Sequence, residues 1–207
     1  MFRFTTRIMM LAVALVALAG LAAAQDRGPQ SGLTSSSELN MTATVDNALR
    51  IDIETSPGGV TVNGAVPTTT GVFSLDLGRV NGLGVGTPSA GVTATAKTGG
   101  VLYSTPIKVT PYFAGLGAGV SLNNGTLTVQ LDQAVGAPNS LIVAREGTAP
   151  ASMDTPLTAT PTVVTTSAQN GQAITRHVGM FIPVAGTVGG NQTLNVRVVY
   201  RIVPLGL

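Results

Sequence analysis

From Leu39 onward the chain alternates apolar and polar residues. Leu39, Met41, Ala43 and Val45 share one side, and Asn40, Thr42, Thr44 and Asp46 the other. A period of two residues is that of a half-buried β-strand. The pattern resumes after Asp46-Asn47, with Leu49, Ile51 and Ile53 opposed to Arg50, Asp52 and Glu54. Ser56-Pro57-Gly58-Gly59 predicts a turn, and Val60-Thr61-Val62 a short strand. Phe73, Leu75 and Leu77 alternate with Ser74, Asp76 and Gly78. Val92–Lys97 predicts a strand ended by Thr98-Gly99-Gly100. Val101–Ser104 and Ile107–Phe113 read as strand pieces cut by Pro106 and Pro111, which suits an edge or a bulge because proline donates no ladder hydrogen bond. Asn123-Asn124-Gly125, between Val120–Leu122 and Leu127–Leu131, is a hairpin signal. Leu141–Arg145 is a further strand, and the prolines of Glu146–Pro161 predict a long loop. Ile174–Val184 and Thr193–Val203 predict a closing hairpin, with Leu194, Val196, Val198, Tyr200 and Ile202 on one face and Asn195, Arg197 and Arg201 on the other. No segment after residue 24 has a helical period. The expected fold is all-β: a single antiparallel immunoglobulin-like β-sandwich of about 8–10 strands.

The first 24 residues differ from the rest. Arg3 and Arg7 precede an uncharged apolar run, Ile8–Leu21, and Ala22-Ala23-Ala24 offers small residues for signal peptidase. This is the form of a secretory signal peptide, too short in its apolar part for a typical spanning helix. The expected layout is a signal peptide at 1–24, a polar leader at 25–38 and a β domain at 39–207. The expected location is exported: periplasmic, cell-surface or extracellular, with no stable membrane insertion after cleavage.

Charge sharpens the picture. The chain carries 11 basic and 9 acidic residues. Removing Arg3 and Arg7 leaves nine against nine, so the mature chain is formally neutral. Its Lys and Arg are scattered, with no basic stripe for nucleic acid or an anionic bilayer. Charged residues make up only 10% of the chain, against about a quarter in a typical domain. There is no cysteine. Disulfides, thiol catalysis and cysteine-held metals are therefore excluded.

Candidate chemistry is sparse. His177 is the single histidine and has no partner at metal-ligand or triad spacing. Asp52 and Glu54 share a strand face, but so does Arg50, which is positioned to pair with them. Gly82-Leu83-Gly84-Val85-Gly86 lacks the lysine and the strand–helix context of a phosphate loop. No serine stands in a Gly-x-Ser-x-Gly elbow. The expectation is a protein without catalytic, cofactor-binding or metal-binding residues. Aromatics are 4% of the chain, with no tryptophan. Tyr103 and Tyr112 are the candidate pair for a small ligand platform, as a secreted carbohydrate- or envelope-binding module would need.

The signal peptide, the polar leader, the stripe Leu39-Asn40-Met41-Thr42-Ala43-Thr44-Val45, the strand end Phe73-Ser74-Leu75-Asp76-Leu77-Gly78 and the late Tyr200 resemble secreted bacterial pilin-like domains. These are the chaperone–usher pilus subunits and the spore coat protein U-like proteins. Many members carry a disulfide that this chain lacks. The resemblance implies an incomplete sandwich that receives a neighbour's strand by β-addition. It makes Leu39, Met41, Ala43 and Val45 the candidate donor, and other subunits of the same kind the partners. The stripe can also be read as the first strand of its own sandwich. The functional expectation is an exported structural or adhesive surface protein. Mass spectrometry of the protein exported from a bacterial host should find the mature N-terminus at Gln25; a mass retaining residues 1–24 would refute cleavage there.

Overall fold

The computed structural model describes residues 41–43, 48–64, 71–114, 124–136, 141–185 and 193–205. Residues 45–207 form one compact unit, separate from residues 1–44. Of the first unit only 41–43 are described, and all three are exposed. The described part of the second is almost entirely β. Its strands are β1 (Ala48–Thr55), β2 (Gly78–Arg79), β3 (Thr87–Pro88), β4 (Thr93–Lys97), β5 (Gly100–Ala114), β6 (Gly125–Gln133), β7 (Val143–Gly147), β8 (Thr162–Ala168), β9 (Ile174–Pro183) and β10 (Arg197–Pro204). One 3-10 turn, Pro150–Ser152, is the sole helical element among the described residues. Every described ladder is antiparallel.

β5 organises the larger sheet. One of its edges is shared: β4 pairs with residues 100–104 and β1 with residues 107–114. The other edge carries β9, which in turn pairs with β7. The sequence predicts two short pieces broken by Pro106 and Pro111, but the chain runs through both as one central strand. Backbone direction explains why. The Pro106 carbonyl faces the gap between β4 and β1, beside Gly59, so its missing N–H faces no ladder partner. The Pro111 carbonyl points the opposite way, beyond the start of β9, where it accepts the N–H of Gly171 at 2.8 Å. Each proline therefore stands where a donor is not needed. The gap itself is closed by the Thr105 hydroxyl, which accepts the N–H of Val60 at 2.8 Å.

The smaller sheet has the order β10-β6-β8. This arrangement overturns one predicted hairpin, the closing one. β6 begins at Gly125 and pairs with β10 and β8, while the predicted first arm of its hairpin, residues 120–122, lies outside the described residues. β9 and β10 lie in different sheets, because β9 is already paired on both sides. β8 was not foreseen. Its sequence, TVVTTSA, lacks clean alternation.

The two sheets face each other across an apolar core. Val101, Tyr103, Ile107, Val109, Ile182 and Ala144 come from the larger sheet, and Leu127 and Val129 from the smaller. Val198, Tyr200 and Ile202 of β10 pack inward as their alternation predicts. On the outer face of the larger sheet, residues 148–154 fold back over the strands, before Pro156 and Leu157 return to the edge of β7. Lys97 of β4 contacts Asp154 at 2.6 Å, and Arg145 of β7 donates to the Met153 carbonyl at 3.0 Å. β4 and β7 lie on opposite sides of the β5–β9 pair, so this loop crosses the sheet, with Met153 fully buried beneath it.

Leu127 is fully buried at the centre of the smaller sheet. Leu127→Ala should cost about 2–5 kcal/mol through lost burial and the cavity left behind. Urea denaturation would measure it, and a loss below about 1 kcal/mol, the scale of an exposed site, would place Leu127 outside the core.

Candidate functional site

The core is not filled everywhere. Between β9 and the start of β10 lies an apolar slot of about 270 Å³. Ile53, Ile107 and Val178 of the larger sheet line it, with Leu75, Val196 and Tyr200. It opens into a wider cleft lined by residues 75–81, residues 85–87, Met180 and residues 193–195. Leu75, Leu77, Met180, Leu194 and Asn195 line both, so the two spaces are continuous.

Two extended segments flank the opening. Phe73–Leu77 alternates in burial like a strand, yet joins no sheet. Ser74 exchanges both backbone hydrogen bonds with Asn63, at 2.7 and 2.8 Å, and the Leu77 carbonyl accepts from Ser89. Thr193–Val196 also alternates, with Leu194 and Val196 turned inward. Among the described residues it makes no backbone hydrogen bond. β1 pairs only with β5 and β10 only with β6, so each presents a free outer edge among the described strands. Chemically, the arrangement offers an apolar recess bordered by backbone groups in strand conformation. A further strand can satisfy both.

Beside the slot is a buried ionic network. Glu146 on β7 and Arg176 on β9 both point inward, because they share parity with Ala144 and Val178. The guanidinium holds the carboxylate by two bonds, Nε to Oε1 at 2.5 Å and Nη2 to Oε2 at 2.8 Å. Both side chains are almost wholly buried. From the facing sheet, the Tyr200 hydroxyl donates to Glu146 Oε1 at 3.4 Å. The hydrogen bond to Glu146 raises the pKa of Arg176 against the opposing effect of burial. Burial first, then the negative charge of Glu146, pushes the Tyr200 phenol well above its usual 10.0. The network ties the two sheets together at one end of the slot.

The sequence reading placed Glu146 at the start of a loop and missed the pair. Parity was the available signal. Arg176 stands between Ile174 and Val178 on the face that goes to the core.

The residues singled out from sequence fall in different places. Met41 is 85% exposed, and Ala43 is also exposed. Leu39 and Val45 lie outside the described residues. Tyr103 and Tyr112 do not form a platform. Tyr103 is fully buried, and its hydroxyl donates to the Asn81 carbonyl at 2.8 Å. Tyr112 has the opposite parity on β5, and the Arg50 guanidinium covers its ring at 4.3 Å. Ring stacking on a sugar needs an open aromatic face: Tyr103 has none, and Arg50 covers one face of Tyr112. Asp52 is buried, and Arg50 contacts it at 3.0 Å, the pairing their shared strand face predicts. Among the described residues, no three carboxylate or imidazole side chains converge as a metal site would require.

No family model matches the chain, and no curated protein or solved structure matches it.

Two predictions follow from the charged groups. Glu146→Gln leaves the Arg176 charge buried beside a neutral amide and should cost about 3–5 kcal/mol in urea denaturation, with Glu146→Leu/Arg176→Met recovering most of it. A loss under about 1 kcal/mol, the scale of a surface ion pair, would contradict the buried network. The second concerns His177. Burial, with the nearby Arg176 charge, lowers its pKa below the ordinary 6.5. The unfolded chain therefore takes up this proton first as pH falls. The His177 contribution is complete above pH 6.5 and is lost progressively below it. His177→Gln should flatten that part of the stability–pH curve, and an unchanged slope would remove His177 as its source.

Proposed function

We propose that this chain is an exported structural or adhesive subunit that assembles by β-strand addition. The observation that carries this reading is the apolar slot, bordered by two extended segments that belong to no sheet. A sandwich completed from within would place a strand of its own there. An incoming extended segment would gain backbone hydrogen bonds along Thr193–Val196 or Phe73–Leu77 and place alternate apolar side chains in the slot. The stripe Leu39, Met41, Ala43 and Val45 has that spacing, and its side chains are of small to medium size. The partner is a second copy of this chain or a related subunit. The signal peptide read from sequence supports export, and the formal neutrality of the mature chain fits assembly through apolar and backbone contacts rather than charge.

The test compares the mature chain, residues 25–207, with the same chain lacking residues 25–46. Analytical ultracentrifugation should find concentration-dependent association in the first and none in the second. Adding a peptide of residues 39–45 should bind the shortened chain and raise its melting temperature. A folded monomer from both chains would defeat the strand-addition reading.

A further inference from the structure

Loop Asn81–Gly86, at the mouth of the cleft, projects two large apolar side chains into solvent. Leu83 is 70% exposed and Val85 77%. Val184, also exposed, lies directly beside Gly82. Residues 81–88 contain no charge.

This loop is braced. The Asn81 side-chain oxygen accepts the N–H of Leu83 at 3.0 Å and of Val85 at 3.2 Å. The Asn81 carbonyl accepts the N–H of Gly84 at 3.3 Å and the hydroxyl of the buried Tyr103 at 2.8 Å. Gly84 takes a φ of +76°, open to glycine at little cost. A side chain at Gly82 would collide with the Pro183 carbonyl, so the loop lies tight against the end of β9. Such a loop holds Leu83 and Val85 outward and loses little conformational entropy when they are covered. Apolar side chains presented this way on a fixed loop mark a contact surface.

We propose that this loop is a docking lip on which the next copy of the chain seats the start of its own domain. The inference rests on the strand-addition reading above. Its argument is the length of the tether. The stripe ends at Val45 and β1 begins at Ala48. Three residue steps separate them, at most about 11 Å of extended chain. A copy that gives its stripe to a neighbour must therefore hold its own domain against that neighbour's cleft. The slot opens into the cleft, with which it shares Leu75, Leu77, Met180, Leu194 and Asn195. The giving domain consequently stands at the mouth, where Val85 and Gly86 form the rim. The half-exposed Leu49, second residue of β1, is the first large apolar side chain after the tether and is the candidate to cover the lip. Successive domains are in direct contact, not strung on a loose linker.

The experiment uses the mature chain with Leu83→Ser/Val184→Ser, two exposed apolar positions of this patch that line neither the slot nor the cleft. Both positions are solvent-exposed, so folding should be unaffected, and the melting temperature of the variant checks this. Association is measured by analytical ultracentrifugation, with and without a free peptide of residues 39–45 as competitor. The expected result is association at least about tenfold weaker than wild type, with the same peptide affinity in both proteins. That outcome separates the lip from the slot. Wild-type association in a variant whose assembly the peptide still blocks would overturn the lip while leaving strand addition standing. Failure of the peptide to bind or compete in the wild-type chain would overturn both.

Discussion

The double-sided pairing of β5 is the constraint on which the rest of this structure depends. The chain has no cysteine and few charges, so its architecture rests on backbone ladders and apolar packing. β5 spans the whole larger sheet and serves three strands at once: β9 along one edge, and β4 and β1 on successive halves of the other. Its inward residues supply much of the core. Everything that defines the slot is referred to this strand. β1, β5 itself and β9 line the slot, together with the segment after β1 and with β10 of the opposite sheet.

The slot and the buried network are complementary. An apolar recess between two sheets tends to close, because close packing recovers dispersion contacts that a void forfeits. Here the ends of the two sheets are linked by a charged pair and a phenol rather than by interlocking aliphatic side chains. Ionic groups in such a position carry a desolvation cost, and their geometry is narrow. They fix the spacing of the sheets where Tyr200 borders the recess.

Much of the fold was legible in the sequence, and the failures have physical causes. Alternation located β1, β4, β6 and the inward face of β10, because each buries one side and exposes the other. It could not report partners. Ile174–Pro183 and Arg197–Pro204 look like two arms of a hairpin, but pairing depends on which edges are already filled. Pro106 and Pro111 were read by their usual association with edges. The rule behind that association concerns the direction of a missing donor, and direction is set by the fold. The candidate site was less legible. Tyr103 looked like a ligand platform because composition does not reveal which side of β5 a ring occupies. Glu146 and Arg176 were obscured because they lie about 30 positions apart and meet only through strand pairing. Asn81, which holds the apolar loop in shape, carries no sequence signature beyond its glycine neighbours.

The shared edge of β5 also bears on how such a chain can diverge. β1 and β4 end on the same side of the same strand, one below Pro106 and one above it. The stretch between them leaves the sheet and returns to nearly the same place. Its length is thereby decoupled from the ladder: residues can be added or removed there without shifting the register of any long strand. That same stretch carries Phe73–Leu77 and the Leu83–Val85 loop. One border of the slot and the apolar loop at its mouth are thus carried by an excursion whose length can change while the register of the long strands stays fixed.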